Sequence, residues 1–138
     1  YNMLTSENRE IRERAALAWA RWEARTSKLY QDENSNSLHH FENIPVAEAF
    51  SRIECHYFTN NGFFEYDGWL LEQVDTFRHI PANIVQGRYD VVCPLRSAWD
   101  LHRKWPEAGF HIIPDAGHSM TEPGIRSKLI NIMEDLAG

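Results

Sequence analysis

From Pro81 onward the chain alternates short apolar runs with helix-length amphipathic stretches, and this alternation constrains its fold more than any other feature. Ala82-Asn83-Ile84-Val85-Gln86 is a brief, partly β-branched run stopped by Gly87, and Phe110-His111-Ile112-Ile113 is another, stopped by Pro114-Asp115-Ala116-Gly117. Between them Leu95, Ala98, Trp99 and His102 recur at helical spacing, after Pro94 and before Pro106. Ile125, Leu129, Ile132 and Leu136 repeat the pattern beyond the second run. A strand-helix-strand-helix order predicts an α/β arrangement: parallel strands joined by a right-handed crossover, with ligands beyond the strands' carboxyl ends.

The chain before Pro81 reads as helices. Ile11, Ala15, Ala18 and Trp22 share one face of a helix expected over residues 7–26, with Thr5 or Ser6 as its cap and Glu7 and Glu10 at the positive end of its dipole. The polar stretch from Gln31 to Asn43 reads as a loop. Pro45 suits the first turn of a second helix, whose face is Val46, Ala49, Phe50, Ile53 and Tyr57 and whose end is Asn60-Asn61-Gly62. A short third helix is expected around Trp69 to Phe77. Two segments follow from this reading, a helical one over 1–80 and a strand-helix-strand-helix one over 81–138.

Chemistry is expected in the two loops that follow the strands. Gly87-Arg88-Tyr89-Asp90 brings a carboxylate to the end of the first strand, and Gly117-His118 brings an imidazole to the end of the second. A serine hydrolase needs a histidine to take the nucleophile's proton and a carboxylate to fix that histidine's tautomer and stabilise the imidazolium. On α/β scaffolds the order is serine, acid, histidine, so Asp90 followed by His118 is the expected second half of a triad. Taken singly, Asp90 suits an Asx-turn and His118 a surface or capping role; their placement in consecutive β-α units favours the paired role.

Gly117-His118-Ser119-Met120 imitates the start of a G-x-S-x-G nucleophile elbow, but Thr121 stands where the last glycine belongs and no histidine follows His118. The other serines lack glycines at that spacing. Together with Tyr1 as the first residue, this places the serine upstream, and the 138 residues alone are expected to be inactive. An α/β sheet with only two strands is also expected to expose apolar surface. Cys93, three residues after Asp90, is read as lining a pocket or as a small buried filler rather than as a nucleophile. Glu23 follows Trp19 and Trp22, and Glu54 lies between Ile53 and Cys55. From spacing alone, both belong to solvated helix faces, as do Arg9, Arg12 and Arg14.

The charge balance narrows the partners. Fourteen Lys and Arg against twenty Asp and Glu give a net charge of −6, which argues against nucleic acid and anionic membranes. The two cysteines, Cys55 and Cys93, have neither disulfide-framework nor zinc spacing, and with no signal peptide a cytoplasmic setting is the expectation.

Gly87-Arg88-Tyr89-Asp90-Val91-Val92-Cys93-Pro94, Ala98-Trp99-Asp100-Leu101, Trp105-Pro106-Glu107-Ala108 and Pro114-Asp115-Ala116-Gly117-His118-Ser119 resemble the proline iminopeptidase (prolyl aminopeptidase) family. Ala18-Trp19-Ala20-Arg21-Trp22-Glu23 and Arg52-Ile53-Glu54-Cys55-His56-Tyr57-Phe58 resemble that family's helical cap segments. The resemblance implies the C-terminal part of an α/β-hydrolase sheet preceded by helical cap segments. It further implies a serine exopeptidase that releases N-terminal proline from peptides without metal or organic cofactor. Asp90 and His118 would be the triad acid and base, Glu23 and Glu54 would bind the substrate's protonated amine, and Cys93 would border the pyrrolidine pocket. The scaffold read without the resemblance also suits an esterase, an epoxide hydrolase or a non-catalytic binding module.

Overall fold

The structure, a computed structural model, describes residues 1–30 and 43–138. The expected loop from Gln31 lies outside the described residues except for Asn43. The chain forms two compact units: Tyr1–Arg25 with the described part of Gln31–Asp67, and Thr26–Tyr30 with Gly68–Gly138. Residues 68–80, grouped with the helical segment on sequence grounds, thus pack with the second unit.

Among the described residues the first unit is built on two helices, α1 (Arg9–Thr26) and α2 (Ile44–Thr59). Asn8, rather than Thr5 or Ser6, caps α1: its Oδ1 accepts the N–H groups of Glu10 at 3.0 Å and Ile11 at 3.3 Å. Asn43 caps α2 in the same manner by accepting the Val46 N–H, and Pro45 lies in the first turn as expected. The buried faces differ from the expected ones. α1 buries Ala16, Ala20 and Ala24, and α2 buries Ala47, Ser51 and Cys55, both at i, i+4, i+8 spacing. Ala16 and Ala20 join Ala47, Cys55 and Leu4 in one core cluster.

Small side chains therefore mediate this helix contact, while Trp22, Ile53 and Tyr57, expected inside, are 69%, 62% and 53% exposed. Arg12 also departs from its expected solvated role. Its guanidinium binds the Glu48 carboxylate and the Ser6 carbonyl, tying α1 to α2 and to the entry turn. The end of α2 is as read: Asn61 and Gly62 take positive φ, and so does Phe63, whose ring packs edge-on against Tyr57 at 5.3 Å.

In the second unit the expected third helix is two single turns, α3 (Trp69–Glu72) and α4 (Val74–Phe77). They part at Gln73, whose carbonyl is taken by the N–H and hydroxyl of Thr76 instead of continuing a helical ladder. Then come β1 (Asn83–Gly87), α5 (Leu95–Lys104), β2 (Gly109–Ile113) and α6 (Pro123–Ala137). β1 and β2 pair in parallel, Asn83 opposite Gly109 through Gly87 opposite Ile113. Both α5 and α6 pack against β1.

The core of this unit is Val74, Trp105 and Ala108, with Phe77, Ala82, Ile84 and Leu101 against it. Phe77 meets Trp105 edge-on at 5.1 Å, and the Trp105 indole N–H donates to the Arg78 carbonyl at 3.0 Å, so the ring is buried without an orphaned donor. The chain is thus helical with a small parallel sheet. Among the described residues no helix is long and apolar enough to cross a membrane.

Candidate functional site

Parallel pairing sends β1 and β2 in the same direction, so the loops after Gly87 and Ile113 emerge side by side. The backbone then laces them together: the Arg88 N–H donates to the Ile113 carbonyl at 2.9 Å, and the Tyr89 N–H to the Ala116 carbonyl at 3.0 Å. Approach this close requires glycine. A Cβ on Gly87 would stand 1.8 Å from the Gly117 carbonyl oxygen and 2.7 Å from that of Ala116.

This lacing brings Asp90 and His118 together. Asp90 Oδ2 accepts from His118 Nδ1 at 3.0 Å and from the Gln86 side-chain amide at 3.0 Å. Asp90 Oδ1 accepts the N–H groups of Val92 at 3.0 Å and Cys93 at 2.8 Å. The carboxylate side chain is only 5% exposed, so these four donors replace the water it has lost. The imidazole is 40% exposed. Because an ionised carboxylate only accepts, Nδ1 carries the proton toward Asp90, and Nε2 is left with its lone pair for an external proton.

Cys93 is exposed, and the contact it makes with the acid runs through its main-chain N–H. Ser119 sits in a local turn, its hydroxyl 2.8 Å from that of Thr121 and accepting the Thr121 N–H at 3.3 Å. Two residues that sequence reasoning passed over belong to this site. Gln86 is the polar residue that ends an apolar strand, and its amide spans Asp90 and the Cys93 carbonyl at 3.0 Å each. Glu122 lies buried beside the histidine loop. No spacing in the sequence marks it, because its partners lie elsewhere in the chain.

Glu23 and Glu54 lie in the first unit. Glu54, on α2, is half-buried, and its Oε2 accepts the Trp19 indole N–H at 2.7 Å. The Trp19 ring also lies 6.1 Å from that of Phe58, one turn beyond Glu54. Glu23, half-buried, is one turn after Trp19 on α1, so its spacing puts it on the helix face that meets Glu54. Carboxylates in this setting are shielded from bulk water on one side and suited to a cation.

Comparison with known proteins adds an independent line. A probable proline iminopeptidase from Leptolyngbya boryana is 55% identical over 131 residues, covering 95% of this chain and 40% of the relative. The relatives are proline iminopeptidases. One from Arabidopsis thaliana is 50% identical over 94% of this chain and 34% of its own length. One from Neisseria gonorrhoeae is 35% identical over 99% of this chain and 42% of its own length. The resemblance to proline iminopeptidases read from the sequence therefore holds along almost the whole chain, while the chain spans about two-fifths of the first relative's length. No family model matches the chain.

Proposed function

We propose that these residues form the C-terminal part of a proline iminopeptidase, a serine peptidase of the α/β-hydrolase fold that removes N-terminal proline from peptides. Asp90 is its triad acid and His118 its base. The observation that carries this reading is the 3.0 Å contact from His118 Nδ1 to a buried, fully hydrogen-bonded Asp90. In such a pair Nε2 takes the proton of the attacking serine and returns it to the leaving amine, while Asp90 holds the tautomer and stabilises the imidazolium. The parallel strands joined through α5, and the names of the relatives, support the same fold and activity.

Residues 1–138 contain no G-x-S-x-G, so the nucleophile and its oxyanion hole belong to sequence outside them, and we propose that the 138 residues alone do not turn over peptides. Glu23 and Glu54 serve as the counter-charge for the substrate's protonated amine. A blocked N-terminus would leave both carboxylates unpaired, which selects for free N-terminal proline. Cys93 borders the proline ring.

The deciding experiment places this segment in its full-length protein and measures proline release from short peptides. Asp90→Asn is expected to lower kcat by roughly 10⁴-fold and His118→Ala by on the order of 10⁶-fold. Near-parental turnover in either variant would remove the triad assignment.

A further inference from the structure

We infer that Glu122 is a positioning residue for His118, its buried carboxylate clamping the histidine loop onto the main chain of residues 27–29. The inference rests on the assignment of Asp90 and His118 and adds to it the element that holds the histidine in place.

Glu122 stands at the N-cap of α6, yet its side chain makes no capping bond there, and Pro123 at the helix start carries no N–H for it to meet. The side chain turns back instead. Its Oε1 accepts the Gly117 N–H at 2.7 Å and its Oε2 accepts the Leu29 N–H at 3.1 Å. The Ser27 carbonyl completes the clamp by accepting the N–H groups of His118 at 3.0 Å and Ser119 at 2.7 Å. Gly117, His118 and Ser119 therefore each donate their main-chain N–H to this clamp.

The fit leaves little slack. A Cβ on Gly117 would come within 3.0 Å of the Leu29 nitrogen and 3.2 Å of Glu122 Oε1. Glu122 is itself only 5% exposed, so water offers little substitute for its two main-chain donors. By contrast the His118 side chain is 40% exposed, and burial does little to fix its ring. Orientation of the imidazole toward Asp90 thus depends on where the main chain holds its Cα, and the clamp sets that position.

A carboxylate is the side chain this job requires. Both of its oxygens accept, matching two N–H groups from two separate stretches of chain. Glutamine offers one acceptor and one donor, so one of the two N–H groups would face an N–H. Aspartate keeps both acceptors and the charge on a stem one methylene shorter.

The test uses the full-length enzyme carrying Glu122→Gln, Glu122→Asp or, as reference, Asp90→Asn. It reads kcat and KM on a proline-amide substrate, the downfield proton resonance of the His118–Asp90 hydrogen bond, and the thermal midpoint. Glu122→Gln should lower kcat about tenfold or more with KM within about twofold. Its downfield resonance should weaken or be lost, because a displaced main chain turns the imidazole out of line with Asp90. Glu122→Asp should recover part of both effects.

Parental kcat and an unchanged downfield resonance in folded Glu122→Gln would overturn the inference. Failure of both Glu122 variants to fold would overturn it too, in favour of a purely architectural role. A dead Asp90→Asn beside a fully active Glu122→Gln removes this inference alone, whereas parental turnover in Asp90→Asn removes the triad reading beneath it.

Discussion

Gly87 lies directly against the carbonyl of Gly117, with no room for even a methyl group between the strand end that leads to Asp90 and the loop that carries His118. Gly87→Ala should force the two main chains apart, since the obstructing atoms are backbone and cannot rotate away. We expect a loss of about 1–3 kcal/mol in stability, the usual cost of overpacking, read from the urea midpoint. Alongside it, the downfield proton resonance of a His118–Asp90 hydrogen bond should be lost. An alanine variant with the parental midpoint and resonance would show that the loops yield at no cost.

The Trp19 indole N–H that reaches Glu54 makes a second prediction, tied to the proposed amine-binding role. In the full-length protein, Trp19→Phe keeps a ring of similar placement but removes the donor that orients the carboxylate. KM for substrates with a free N-terminal amine should rise by roughly 10-fold or more, as expected for a hydrogen bond to a charged group worth about 1.5–3 kcal/mol. Glu54→Gln should do the same or more. Parental kinetics for both variants on free-amine substrates would instead favour esterase or epoxide hydrolase chemistry for the pocket.

The Arg12–Glu48 pair joins two helices whose buried contact is made by small side chains. Its side chains are about three-quarters covered, at 24% and 23% exposure. A double-mutant cycle with Arg12→Ala and Glu48→Ala should give a coupling of about 0.5–1 kcal/mol, weakened by salt. Strict additivity of the two single variants would reduce the pair to a surface coincidence.

Acid stability supplies a fourth check. The Arg78 guanidinium donates to both Glu107 oxygens, at 2.9 and 3.0 Å, and together with a main-chain hydrogen bond this holds Glu107 below the ordinary carboxylate value of 4.5. A carboxyl group depressed in the folded state stabilises the fold above its unfolded value and loses that contribution as pH falls through its folded value. The thermal midpoint should therefore drop as the solution is taken below about pH 4.5, and Glu107→Gln should flatten that part of the curve. Identical acid profiles for parent and variant would show that the pair contributes nothing to folding.

The strand and helix order was legible because glycine and proline punctuate it: Gly87 and Pro114 stop the two strands, and Pro94 and Pro106 bracket α5. The proximity of Asp90 and His118 followed from that order, since equivalent ends of adjacent parallel strands are neighbours. The helix faces were not legible. Apolar periodicity weights large residues such as Trp22 and Ile53, whereas the contact between α1 and α2 runs through Ala16, Ala20, Ala47 and Cys55. Nor were Gln86 and Glu122. Their partners are main-chain groups or side chains brought near by the fold, and no spacing rule announces a bond between Leu29 and Glu122.

That last bond spans 93 positions of the chain, and with the Ser27 carbonyl it makes the histidine loop one of the most non-local parts of the fold. Closing so long a loop carries its entropy cost before any contact repays it. The β1-α5-β2 unit can assemble from neighbours in sequence, but the loop that carries His118 must wait for a stretch synthesised long before it to return. The histidine is therefore expected to reach its final pose late in folding and to be released early in unfolding, with the base lost before the strands that frame it.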